Sequence, residues 1–394
     1  MRPVSPALVV VMAGVVAALH VAKPSPALSM LQTELGLSLV DAGFLLSLVQ
    51  MAGMLFGLVV GLASDAWGLR RSMVMGLMLL GAASVVGGLA RSAEILLLMR
   101  AVEGAGFLMV ALPAPNLIRR VVGVGRTSAA LGLWGAYMPT GTALALLVGP
   151  LVLGQWGWSG WWMLLGGASL LMAWGLVHAV PQEPKALAGA LQRPWRPRLR
   201  ETLSASGPWL VAACFAMYSA QWMAVIGFLP SIYAQSGVAQ GVAGALTALV
   251  AWVNIVGNIA AGQFLQRGLV PHRLLLLGFG GMALGAFLAF APLPGVGATA
   301  RYAAVVMFSM VGGLIPGTLF SLAVRLAPGD DTVSTTVGWM HQCSAIGQFV
   351  GPPLVAWVAV MVGGWHWTWA ATAALSLVGG VLALRTAGAL AAAR

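Results

Sequence analysis

Long apolar windows, interrupted by short clusters of Gly, Pro and basic residues, recur from one end of the chain to the other. A helix rising 1.5 Å per residue needs about 20 apolar residues to cross roughly 30 Å of hydrocarbon. Twelve windows meet that length, and spanning helices are expected at residues 5–30, 39–62, 72–91, 94–118, 128–153, 160–181, 207–233, 241–265, 272–292, 301–326, 333–361 and 366–389. Arg2 followed by an apolar run gives the first window the look of a signal peptide; with eleven spans behind it and no clear cleavage site, it is expected to remain a span. The one long polar and basic stretch divides the windows six and six. The expected organisation is an N-terminal six-helix bundle at 1–181, a basic cytoplasmic linker at 182–206 and a C-terminal six-helix bundle at 207–394.

Composition excludes a soluble globule: 60% of the 394 residues are hydrophobic and 7% are charged. The fold class is therefore all-α and polytopic, an integral membrane protein in contact with the lipid bilayer. A net charge of +11 would suit nucleic acid, but its distribution has a simpler cause, because sixteen of the twenty Lys and Arg fall on one side of the alternating spans. Lys23, Arg91 and Arg301 lie toward the other side and Arg100 lies within the membrane. That bias places both termini in the cytoplasm of a bacterial inner membrane, with no nucleic-acid partner expected. Cys214 and Cys343 fall inside spans and read as free thiols.

The halves resemble each other. Gly57 and Gly68 match Gly257 and Gly268 at a displacement of 200 residues, the ALP at 111–113 faces the LIP at 314–316 at 203, and Gly149-Pro150 matches Gly351-Pro352 at 202. Gly and Pro at corresponding places point to bends and close helix contacts.

After the second span comes GLASDAWGLRRSM, a short loop in which Gly68 permits a tight bend and Arg70 and Arg71 mark the cytoplasmic side. Gly61, Asp65, Gly68, Arg70 and Arg71 match the loop signature of the major facilitator superfamily, except that Ala66 replaces the usual basic residue after the Asp. The chain resembles that superfamily along its whole length. The resemblance implies a transporter of two pseudo-symmetric six-helix bundles working by alternating access, with these five residues gating the interconversion. Gly338, Gly347, Gly351 and Pro352 in the eleventh span resemble the superfamily's antiporter motif, which normally lies in the fifth; close helix packing explains the same glycines. Segments 118–141 and 225–246, with Pro316, resemble the cyanate and nitroimidazole transporter branch.

A charge at the centre of a span costs about 2.5–3.5 kcal/mol on insertion scales, so each needs a partner or a wet cavity. Arg100 and Glu103, three apart, share a helix face and can pair. Arg100, Gly104 and Gly106 also resemble the helix-four pattern of drug and proton antiporters. Glu103 beside Arg100 either carries a coupling proton or forms a self-neutralising structural pair. At a displacement of 203 the other half carries Ala303 and Val306, so the charge belongs to one half only. Lys23 is expected to snorkel to the outer interface, with attraction of an anion as the alternative, and His20 to be hydrogen-bonded or to serve a pH-linked step.

The remaining cavity candidates, beside His20 and Lys23, are Gln50, Tyr137, Thr140, Tyr218, Gln221, Trp222, Asn254, Asn258, His341 and Gln342. With His20, Lys23 and Arg100 they describe an aromatic-walled pocket of positive character, suited to a small organic anion. The expected function is secondary active transport of such a small-molecule substrate, coupled to protons, by a monomer without cofactor or metal. The alternative is a drug/proton antiporter. A membrane enzyme or sensor is the reading from another class, but the chain offers no HExxH, no GxSxG and no Cys/His ligand spacing.

Overall fold

The computed structural model describes residues 5–122, 133–182, 195–329 and 332–392, and of residues 60–67, 334 and 391–392 the backbone alone. Most of the linker expected at 182–206, together with Arg126, lies outside the described residues. Among the described residues all regular structure is helical. Helix α1 is Pro6–Leu35, α2 joins Leu39–Ser47 to Met51–Trp67 through the 3-10 turn Leu48–Gln50, α3 is Leu69–Gly88 and α4 is Ala93–Val122. The next helix, Tyr137–Ala179, is 43 residues long. At 1.5 Å per residue that is about 65 Å, twice the hydrocarbon thickness. Gly157, at φ 64° and ψ −175°, breaks it into two spans, α5 (137–156) and α6 (158–179). Helices α7 (Ser206–Gln235), α8 (Gln240–Gln266), α9 (Pro271–Phe290), α10 (Ala298–Arg325), α11 (Val333–Val362) and α12 (Thr368–Ala392) complete the twelve, and a short helix, Trp195–Ser204, precedes α7.

Two compact units divide the chain: Met1–Ser38, Leu48–Gln192 and Tyr233–Ala248 form the first; Leu39–Ser47, Arg193–Ile232 and Leu249–Arg394 form the second. In the first, α3 and α4 meet at glycines, since a Cβ on Gly76 would lie 2.7 Å from the Gly106 carbonyl oxygen and one on Gly106 2.7 Å from that of Gly76. Gly141 of α5 is as tight against the Val15 carbonyl of α1, at 2.7 Å. The second unit repeats the device between α7 and α11: Gly347 and Gly351 lie against the carbonyls of Ala216 and Ala220. Gly68 and Gly268, paired in the sequence repeat, both have positive φ, 95° and 86°, which explains why both loops place glycine there.

Prolines set the helix breaks. Pro113 has no N–H to offer the Met109 carbonyl, and α4 breaks at Leu112; the Ser72 hydroxyl of α3 donates to that carbonyl instead, at 3.2 Å. Pro316 stands beside the matching break of α10 at Gly313.

Arg301, at the start of α10, gathers the loop after α9. Its guanidinium donates to the carbonyls of Ala289 and Ala291, both at 2.8 Å, and of Leu293 and Val296, both at 3.3 Å. The first of these belongs to the last turn of α9, where a cation also complements the helix dipole. Arg301→Ala is expected to cost about 1–3 kcal/mol, read as a fall of several degrees in the unfolding temperature of the purified protein. Arg301→Lys should recover only part of it, because an ammonium cannot span four carbonyls as the planar fork does.

Candidate functional site

Helix α1 is interrupted at Lys23 because Pro24 follows it. Pro24 cannot donate to the carbonyl four residues back, that of His20, which is left open inside the packed unit. Arg100 of α4 fills the vacancy: its Nη1 donates to the His20 carbonyl at 2.7 Å and to Glu103 Oε2 at 2.5 Å. Lys23 Nζ forms an ion pair with the other oxygen of Glu103, Oε1. The carboxylate thus holds one cation on each oxygen.

The ammonium's other hydrogen bonds run to Ser84 Oγ of α3 at 2.7 Å and His20 Nδ1 at 3.3 Å, and its nitrogen stands 4.6 Å from the centre of the Trp162 ring of α6. The Ser84 hydroxyl in turn donates a hydrogen bond to the Trp162 carbonyl, at 2.7 Å. An ammonium has donors only, so Nδ1 of His20 accepts; the ring proton is then on Nε2, which donates to Ser169 Oγ at 2.8 Å. His20, Lys23, Ser84, Arg100, Glu103, Trp162 and Ser169 are all fully buried.

Lys23 therefore does not snorkel. Snorkelling supposes hydrocarbon around the stem and water as the nearest relief for the charge; here a carboxylate of α4 faces the break and pairs with the ammonium directly. Nor do His20, Lys23 and Arg100 lend their charge to an open pocket, since all three are enclosed where α1, α3, α4 and α6 meet. Ser84, Ser169 and Trp162 were missed in the sequence, where a serine or tryptophan in an apolar helix is unremarkable; Pro24, four residues past His20, was the usable signal.

Gln50 is buried in the α2 turn, Tyr137 stacks on Trp134 with ring centroids 4.1 Å apart, and Thr140 is half-buried. In the second unit a neutral network runs through Tyr218, Asn254 and Asn258: the Asn254 amide donates to the Tyr218 hydroxyl at 3.0 Å and to the Ser309 carbonyl at 2.8 Å, and Asn258 donates to Asn254 Oδ1 at 3.0 Å. Trp222 donates to Ser309 Oγ at 3.1 Å, and Gln221 accepts from Ser376 at 2.9 Å. His341 packs against the rings of Phe215 and Phe320, at 6.0 and 5.6 Å, which also touch each other at 6.0 Å, and Gln342 beside it is half-buried. Of the loop residues, Arg70 donates to the Val177 carbonyl near the end of α6, Arg71 is exposed, and the side chain of Asp65, with the surroundings of Gly61, lies outside the described residues.

Repeated glycine-packed halves, helices broken within the span and a buried ion-paired cluster at one break together define a class, the secondary transporters. The chain belongs to the Major Facilitator Superfamily, whose sequence model matches residues 9–340. Its function is that of a carrier working by alternating access, not of an enzyme. It is 24% identical over 380 residues to the 2-nitroimidazole transporter of Escherichia coli, covering 91% of this chain and 89% of that one. A shorter match, 31% identical over 169 residues, covers 42% of this chain and 32% of a puromycin resistance protein of Streptomyces alboniger. Among solved structures, a bacterial homologue of the human lysosomal transporter Spinster, crystallised inward-facing and occupied, superposes with a TM-score of 0.81 at 15% identity, covering 98% of this chain and 97% of that one. The unoccupied form of that homologue gives 0.76 at 16% identity, over 99% and 98%.

Proposed function

We propose that this chain is a proton-coupled carrier of a small, flat, weakly acidic organic solute in a bacterial inner membrane, with both termini cytoplasmic. The observation that carries the coupling reading is the enclosed Lys23–Glu103–Arg100 cluster, in which two cations share one carboxylate. Gain or loss of a proton there changes the net charge of a buried helix junction, a change large enough to bias one arrangement of a carrier over another. The basic residues on one side of the spans support the orientation.

For the solute, the burial of His20, Lys23 and Arg100 shifts the argument to the neutral groups of the second unit. Tyr218, Asn254, Asn258 and His341, with the Phe215 and Phe320 rings, offer hydrogen bonds and aromatic faces, and these suit a small heteroaromatic ring better than a fully ionised anion. The likeness to a 2-nitroimidazole transporter supports the same solute class and the nitroimidazole branch. The antiporter reading draws on Arg100, Gly104 and Gly106, and on the partial match to a resistance protein. Against it, Gly347 and Gly351 are accounted for by helix packing.

Proteoliposomes with an imposed pH gradient test the reading, with 2-nitroimidazole as the probe. The wild-type protein is expected to accumulate or expel the probe in response to the gradient, the direction separating uptake from efflux, and Lys23→Met is expected to abolish the response. Probe movement indifferent to the gradient would remove proton coupling; no movement at all would remove the ring-shaped solute.

A further inference from the structure

We infer that the coupling proton resides on Lys23 and is exchanged through His20, while Glu103 stays ionised throughout as the fixed partner of Arg100. The inference rests on the proton-coupled reading and assigns its atoms. Arg100 remains charged under all relevant conditions. With Lys23 and Arg100 charged and Glu103 ionised, the cluster carries one positive charge in excess. Protonating Glu103 would set two cations against each other with no anion between them. Removing a proton from Lys23 instead leaves a neutral Arg100–Glu103 ion pair. Of the changes available, the loss from Lys23 alone brings a buried site to neutrality, which a low-dielectric environment favours.

Among the described residues, the charged groups that face Lys23 from the elements packed around it are Arg100 and Glu103; Glu34 of α1 instead accepts from Trp158 at 2.7 Å, and Glu94 lies in the first turn of α4. Helix α4 contributes Arg100 and Glu103, α1 contributes His20, α3 contributes Ser84, and α6 contributes Ser169 and Trp162. No charged residue occurs along 137–156 in α5, and Arg119 and Arg120 at the far end of α4 are exposed.

The geometry also supplies a path. In the unloading step the Nζ–H bond that faces His20 breaks, its electron pair staying on nitrogen, and an Nδ1–H bond forms across the 3.3 Å contact. The imidazolium then releases its other proton, from Nε2 on the Ser169 side, to water admitted during the transport cycle. What remains is neutral Lys23 accepting from Nδ1–H: the same hydrogen bond with donor and acceptor exchanged. Reloading reverses each step.

The protein has only two lysines, Lys23 and Lys185, so lysine labelled with carbon-13 at Cε gives two resonances, assigned with Lys185→Arg. In nanodiscs the Lys23 resonance is expected to move reversibly between its ammonium and amine positions with pH, in the wild type and in His20→Asn alike. The same His20→Asn protein in vesicles is expected to slow gradient-driven 2-nitroimidazole movement about tenfold or more, because the relay and not the carrier is lost. A Lys23 resonance fixed at the ammonium position while wild-type vesicles still couple probe to protons would overturn this assignment and leave the coupling reading standing. A titrating Lys23 in a protein that moves no protons with the probe would overturn both. His20→Asn at wild-type speed would remove the relay.

Discussion

Glu103→Leu is expected to leave little folded protein in the membrane, whereas Lys23→Met is expected to fold. Both substitutions delete one member of the same buried pair, so the difference between them is electrostatic. Without Glu103, Lys23 either stays an ammonium facing the Arg100 guanidinium or gives up its proton, and in both cases Arg100 is left without an anion in a fully buried site. Removing one partner of a buried pair costs about 3–5 kcal/mol, a large share of the roughly 5–15 kcal/mol that holds a typical domain together. Without Lys23, Arg100 and Glu103 still satisfy each other, and Arg100 keeps the His20 carbonyl that Pro24 left open. What Lys23→Met forfeits is the ion pair to Glu103 Oε1, the hydrogen bonds to Ser84 and His20 and the contact with the Trp162 ring.

Thermal unfolding of detergent-purified variants, with yield as a second readout, separates the cases. Glu103→Leu should melt on the order of 10 °C below wild type, if enough is recovered to measure. Lys23→Met should fall a few degrees. The double variant Lys23→Met/Glu103→Leu should be more stable than Glu103→Leu alone, because it removes a lysine that must otherwise stay charged beside Arg100 or be buried as an amine without its carboxylate partner. Ordinary packing damage would add instead. A Glu103→Leu protein as stable as wild type would show that no ionised carboxylate holds this junction.

Most of the helical frame could be read from the chain, because the bilayer imposes a length on every span. The stretches 241–265 and 272–292 fall within two residues of α8 and α9, and the fifth and sixth spans meet at Gly157, in a run without a single charge. The Arg100–Glu103 face was equally legible, since residues three apart on a helix must be neighbours. Lys23 was not. It is 80 residues from Glu103, and nothing local distinguishes a lysine reaching for water from one reaching for a carboxylate on another helix. The assignment turned on two long-range facts: which helix lies opposite the break at Lys23, and which carbonyl Pro24 leaves open. The halves' glycines were visible in order, but whether a glycine serves packing or conformational exchange depends on what faces it.

That distinction makes Gly351 the second large expected effect. A Cβ there would lie 2.7 Å from the carbonyl carbon of Ala220 and 2.8 Å from its Cα, and one on Gly347 2.9 and 3.0 Å from the corresponding atoms of Ala216. These are backbone atoms of α7, which cannot rotate aside as a side chain would, so α11 must move away along the whole seam. Such overpacking costs about 1–3 kcal/mol per site and forfeits the close backbone approach that holds membrane helices together where no hydrophobic force acts between them. Gly351→Ala is therefore expected to lower the unfolding temperature by several degrees, and Gly351→Leu to reduce the yield of folded protein severely. Gly280 of α9 is the control, because a Cβ there meets nothing within 4 Å. Gly280→Ala should be neutral or stabilising by about 0.5–1 kcal/mol, since alanine gives up less conformational freedom in a helix. If the spacing of Gly338, Gly347, Gly351 and Pro352 is a packing seam, Gly351→Ala loses stability while the direction of 2-nitroimidazole movement in vesicles stays the same. A variant that melts with the wild type yet reverses or uncouples that movement would give these glycines a part in the transport cycle itself, and with it restore the antiporter reading.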